Sequence, residues 1–127
     1  MSNCILSVNG NKAMNYLLHT IFQNDYQFIP VPDVYDGMYQ LKMNKNIQFL
    51  IVDVDFETAQ SWELIQHIKT SKLFQIPVIV LTTTNDENVK TKCYELGIDD
   101  IFFKPFNPVD LVSAVKSLKP ASAYSNV

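Results

Sequence analysis

A chain of 127 residues, 47% hydrophobic and 18% charged, is long enough for one domain with a substantial core and too short for two. The net charge is −3 and the ten basic residues are scattered rather than striped, which argues against direct nucleic-acid binding. There is no run of about 18 apolar residues, no basic leader and no apolar targeting stretch, so the sequence predicts a cytoplasmic protein, neither inserted in a membrane nor secreted.

Cys4-Ile-Leu-Ser-Val8 is a short, nearly continuous apolar run, the pattern of a strand covered on both faces. Met14, Leu17, Leu18, Ile21 and Phe22 then share one helical stripe. The alternation repeats four times. Phe28 to Val31 precedes Val34, Met38 and Leu41; Phe49 to Val52 precedes Leu64, Ile65 and Ile68; Pro77 to Leu81 precedes Val89, Cys93 and Leu96; Ile101 to Phe103 precedes Leu111, Val112, Val115 and Leu118. Five strand–helix units predict an α/β fold, a doubly wound five-stranded parallel sheet of flavodoxin-like (βα)5 type with helices on both faces. Pro30 and Pro32 belong at an edge, since proline cannot donate to a ladder. The order 2-1-3-4-5 satisfies this and puts the switch point between the first and third strands. Gly97 ends the fourth helix, while Asn107 and Pro108 open the fifth as N-cap and N1 residue. The domain is expected to span residues 1–120, with a frayed tail over 121–127. Tyr35, Tyr39, Phe102 and Phe103 are read as core. Cys4 and Cys93 lie within apolar segments, apart from His19 and His67, and are read as buried free thiols rather than a disulfide or metal site.

Polar residues interrupt the pattern at the C-terminal ends of four strands: Asn9, Asp53, Thr82 and Lys104. The fold brings them to one edge of the sheet. A carboxylate, a hydroxyl and an ammonium together suit phosphoryl chemistry, with Asp53 attacking phosphorus and Thr82 and Lys104 holding its oxygens. Strand termini are commonly polar, so simple capping is the rival explanation.

Phe49-Leu-Ile-Val-Asp53 with Glu63-Leu64 beyond it, Pro77-Val-Ile-Val-Leu-Thr82, and Leu96-Gly97-Ile98-Asp99-Asp100-Ile-Phe-Phe-Lys104-Pro105-Phe106 occur in that order. Together they resemble the response-regulator receiver family, which includes the bacterial chemotaxis response regulator; the likeness covers residues 3 to 118. The resemblance implies a signalling module rather than an enzyme, with Asp53 as phosphoacceptor. It further implies Thr82, Thr83 and Lys104 as phosphate-binding and switch residues, residue 101 as the switch aromatic position, and a cis Lys104–Pro105 bond.

Several positions depart from the family. Receivers usually follow the first strand with two acids that hold Mg²⁺, and here those positions are Asn9 and Gly10. Mg²⁺ demands hard oxygen ligands and charge to offset its dehydration. No metal or other cofactor is therefore expected, and Mg²⁺ only if the pocket functions. Asp55 offers one compensating acid, although the plainer expectation is a water-exposed loop carboxylate. Gly10 leaves open a positive φ in which aspartate would be strained. The loop from Phe56 to Ser61 lacks the usual proline and glycine, and Ile101 replaces the switch aromatic.

The leading expectation is a pseudo-receiver, an interaction module that signals through a downstream protein effector. The alternative is a conventional receiver phosphorylated on Asp53 by a histidine kinase or phosphotransfer protein. Either form could pair with a second copy through the face of the fourth helix, fifth strand and fifth helix. A flavin-binding protein of flavodoxin-like type is more remote, because Asn9-Gly-Asn-Lys-Ala13 lacks the hydroxyls and glycines of a phosphate loop.

Overall fold

The computed structural model describes residues 3–71 and 74–121. Five strands alternate with five helices: β1 (Asn3–Val8), α1 (Lys12–Phe22), β2 (Tyr26–Val31), α2 (Val34–Met43), β3 (Ile47–Asp53), α3 (Thr58–Thr70), β4 (Val78–Thr82), α4 (Glu87–Leu96), β5 (Asp100–Phe103) and α5 (Pro108–Ser117). All strands are parallel, in the order β2-β1-β3-β4-β5, which is the flavodoxin-like arrangement expected.

The central strands read as continuous apolar runs because each face meets a different helical layer. Leu6, Val8, Leu50, Val52, Val78 and Val80 face Leu41, Leu64, Ile65, Ile68 and Cys93 from α2, α3 and α4. Ile5, Phe49, Ile51, Ile79 and Leu81 face Leu18 and Phe22 of α1 and Leu111 and Val115 of α5. Alternate residues thus serve opposite cores, as the pleat requires. Each fully buried Leu or Ile contributes roughly 1.5–3 kcal/mol relative to exposure.

Local chemistry sets the helix ends. Asn11, Asp33, Asp86 and Asn107 each accept a backbone N–H in the first turn of the helix that follows. Gly97 ends α4 at φ 71°, a left-handed conformation that glycine adopts without a Cβ penalty. α3 is the exception. Its N-cap, Glu57, takes φ 45° and makes no side-chain cap bond, spending its carboxylate on the Val34 N–H of α2 at 2.9 Å instead.

Some expectations need correction. Asp53 and Thr82 are the last residues of their strands, and pairing continues beyond them through Val54 N–H to the Leu81 carbonyl at 3.0 Å. Tyr35 and Tyr39 are exposed on α2 rather than core, and Leu17 is exposed on α1, because the buried arc of each helix is narrower than its apolar composition. Phe102 and Phe103 are half-buried, since β5 is an edge strand. Ala121, expected at the start of the tail, is instead buried and donates its N–H to the Gln48 carbonyl at 3.2 Å. The rest of the expected tail, 122–127, lies outside the described residues.

Candidate functional site

The C-terminal strand ends converge at the switch point between β1 and β3. Asp53 ends β3 with a side chain fully shielded from solvent. Its Oδ2 accepts from Lys104 Nζ at 2.7 Å, and its Oδ1 accepts the Asp55 N–H at 3.0 Å. Lys104 follows β5, where its N–H donates to the Thr82 carbonyl at 2.9 Å, and the Lys104–Pro105 bond is cis, as the resemblance implied.

Asp55 is not a water-exposed loop carboxylate. Its Oδ1 accepts from Thr82 Oγ1 at 2.7 Å, and its Oδ2 accepts the Thr83 N–H at 2.9 Å and lies 2.8 Å from Lys104 Nζ. The tight turn after β3, closed by the Asp53–Asp55 bond, turns this carboxylate toward the β4 end. Lys104 therefore bridges two carboxylates. Burial pushes the Asp55 carboxyl up, but hydrogen bonds from Lys104, Thr82 and the Thr83 amide, with the Lys104 charge, outweigh it and hold the group below its ordinary value. For Lys104, burial favours the neutral amine, yet bonds to Asp53 and Asp55 and their charges raise it above the ordinary lysine value.

Thr82 is buried, and its hydroxyl oxygen also accepts the Thr84 N–H at 3.1 Å, so donation to Asp55 and this acceptance fix its rotamer. Thr83 is exposed and enters the cluster through its backbone. Ile101 packs against the core on the α4 side of the sheet and makes no polar contribution.

At the β1 end, Asn9 is buried. Its Oδ1 accepts the Asn11 N–H at 2.8 Å and its N–H donates to the Val31 carbonyl at 3.0 Å, but Nδ2 has no partner. Gly10 has no positive φ; steric contact, not backbone conformation, is what constrains this position. A Cβ on Gly10 would lie 2.6 Å from Cγ and Cδ1 of Phe56, against an ordinary contact of about 3.5–4.0 Å. The Phe56 ring also lies beside Lys104, with Nζ 5.6 Å from its centroid.

These contacts decide whether Mg²⁺ fits. The ion needs a cluster of hard, negatively charged oxygens. Here Asn9 presents an amide, the space beside Gly10 holds an aromatic ring, and both carboxylates are bound to an ammonium. No group of three His, Cys, Asp or Glu side chains among the described residues could hold a metal ion. The residues present do not fit Mg²⁺.

Two contributors had no signature in the sequence. Phe56 reads as one more apolar loop residue, and only the fold sets it on Gly10. Asn15 falls on the buried side of α1, where its Oδ1 accepts from Ser7 Oγ at 2.6 Å and its Nδ2 donates to the Val31 carbonyl at 3.1 Å. It ties α1 to the ends of β1 and β2, and so holds the loop that carries Asn9.

Comparison with known proteins agrees with this architecture. Residues 5–116 match the response regulator receiver domain family. The chain is 31% identical over 119 residues to the regulatory protein VanRc of Enterococcus gallinarum, covering 92% of this chain and 50% of that protein. It is 28% identical over 118 residues to the transcriptional regulatory protein SrrA of Staphylococcus aureus, covering 93% of this chain and 48% of that protein. The chain thus spans about half the length of these relatives. Among solved structures, the Vibrio cholerae chemotaxis protein CheY4 superposes with a TM-score of 0.81 at 18% identity, covering 94% of this chain and 100% of that one. The response regulator DrrB of Thermotoga maritima superposes with a TM-score of 0.78 at 26% identity, covering 91% of this chain and 52% of that one.

Proposed function

Because the chain belongs to the response regulator receiver domain family, and is a receiver of the two-component signalling type, we propose that it works as a pseudo-receiver: a module that passes its signal through protein contacts without Mg²⁺-dependent phosphorylation of Asp53. The observation that carries this reading is the Phe56 ring set against Gly10, where a receiver of ordinary type needs an acid. Phosphoryl transfer depends on positioning and on neutralising the charge of the equatorial oxygens, which the metal ordinarily supplies. With an amide, a glycine and a phenyl ring on that side, the incoming phosphoryl group would meet Asp53 and Asp55 with one lysine to offset them.

In this reading the module takes no metal or other cofactor and acts on a downstream protein effector. The face of α4, β5 and α5 is the surface for that effector or for a second copy, because it adjoins the Thr82 and Lys104 ends of the strands. The domain itself does not contact nucleic acid. It works in the cytoplasm, and no helix among the described residues is long and apolar enough to cross a membrane. A conventional receiver, phosphorylated by a histidine kinase or phosphotransfer protein, is the second reading. It is favoured by the retention of Asp53, Thr82 and Lys104 in one cluster.

Labelling with acetyl phosphate and Mg²⁺ separates the two. The native chain is expected to acquire no more phosphoryl label than Asp53→Asn. Stoichiometric, Asp53-dependent incorporation detected by intact-mass analysis would establish the conventional receiver instead.

A further inference from the structure

We propose that Asp55 is the resident occupant of the anion subsite of this domain, its carboxylate standing in for a phosphoryl group and holding the switch residue Thr82 permanently engaged. The inference rests on the pseudo-receiver reading and deepens it: the module does not wait for an anion, because it carries one.

Three donors that could hold phosphoryl oxygens beside Asp53 are the Thr82 hydroxyl, the Thr83 N–H and the Lys104 ammonium. All three meet one carboxylate, that of Asp55, at 2.7, 2.9 and 2.8 Å. Asp53 keeps only a share of Lys104 and the Asp55 N–H. An ionised carboxylate resembles a phosphoryl group in the features these donors recognise, negative charge and paired acceptor oxygens, and charge-assisted bonds of this kind are about twice as strong as neutral ones. Asp55 also reaches them without entropy of association, since its backbone is held by Asp53.

The contact extends beyond the subsite. The Thr82 hydroxyl that donates to Asp55 accepts from the Thr84 N–H, and the Thr83 N–H is bound directly, so Asp55 holds one amide of the β4–α4 connection itself and the next through Thr82. That connection leads to Asp86, the N-cap of α4. Asp55 thereby acts as a positioning residue for α4 and for the face it forms with β5 and α5.

Amide NMR and hydrogen exchange on the full chain test this with three variants, Asp55→Asn, Asp55→Ala and Asp53→Asn. Both substitutions of Asp55 should shift the Thr83 and Thr84 amides, accelerate their exchange by about tenfold or more, as loss of a charge-assisted bond implies, and carry shifts into α4. Asp53→Asn, which keeps the Oδ1 acceptor for the Asp55 N–H, should disturb the Thr83 and Thr84 amides and α4 clearly less than either Asp55 variant. The asparagine variant keeps the shape of the side chain and so guards against misfolding of the alanine variant. Changes confined to residues 53–57 in both Asp55 variants, or equal disturbance of Thr83 and Thr84 by Asp53→Asn, would overturn the proposal. Phosphoryl labelling of Asp53 in the native chain would defeat the pseudo-receiver reading by a different measurement, so the two failures are distinguishable.

Discussion

Phe56 and Gly10 are complementary: the ring of one occupies the space that a side chain on the other would need, with 2.6 Å between its nearest atoms and the site of a Cβ. The pairing predicts that restoring the two family acids by Asn9→Asp with Gly10→Asp leaves Phe56 in the way of an ion.

Gly10 and Phe56 are both exposed, so Gly10→Asp is expected to displace the ring at less than the about 1–3 kcal/mol that overpacking costs in a core, and Phe56→Ala in the same chain should remove the clash. Calorimetric titration with Mg²⁺ should give no saturable heat for the native chain or for the Asn9→Asp, Gly10→Asp double variant. The triple variant that adds Phe56→Ala should bind. Binding by the double variant, or none by a folded triple variant, would show that Phe56 is not the obstacle.

Asp55 and Lys104 should make stability depend on pH at both extremes. The Asp55 carboxyl lies below its ordinary value of 3.8, so its contribution is present above that value and is lost as pH falls through the depressed folded-state value. Lys104 lies above its ordinary 10.5, so its contribution is complete below that pH and is lost as pH rises through the folded-state value. Urea unfolding should therefore show a plateau across neutral pH. Asp55→Asn should lower the plateau by about 1–2 kcal/mol and flatten the acid limb. A native acid limb that Asp55→Asn leaves unaltered would refute the assignment.

Glu57 supports a second paired comparison. Its φ of 45° is disfavoured for a residue with a Cβ, while its carboxylate receives the Val34 N–H. Glu57→Ala keeps the strain and loses the bond, and should be less stable than the native chain by about 1 kcal/mol. Glu57→Gly loses the same bond but relieves the strain, and should be about 1 kcal/mol more stable than the alanine variant. Equal melting temperatures for the two variants would show that the turn does not hold this conformation in solution.

The sheet was legible because its signals are local and repeated. Alternating runs such as Phe49 to Val52 and stripes such as Leu64, Ile65 and Ile68 fix element type, and the prolines near Val31 fix the edge. The convergence of Asp53, Thr82 and Lys104 followed from strand order alone. The behaviour of Asp55 did not, because the sequence places a carboxylate two residues beyond Asp53 without saying which way a turn will aim it. The Phe56–Gly10 contact spans 46 residues and depends on the path of an irregular loop, and Asn15 looks like any polar helical residue until Ser7 and Val31 are found beside it. Helix faces erred in a physical direction: the exposed Tyr35 and Tyr39 have hydroxyls that water solvates, and α2 buries its Gly37 and Leu41 side instead.

Pro30 has a bearing on assembly. The Val31 carbonyl turns inward to meet the Asn9 N–H, so the Pro30 backbone faces the open side of β2, where it has no hydrogen to donate. A strand from another molecule approaching that side would find the ladder interrupted near its C-terminal end. The opposite border of the sheet, β5, is only four residues long. Growth by strand addition is thus blunted at both borders, and copies of this domain that associate are expected to meet through side chains, as on the α4, β5 and α5 face, rather than by extending the sheet.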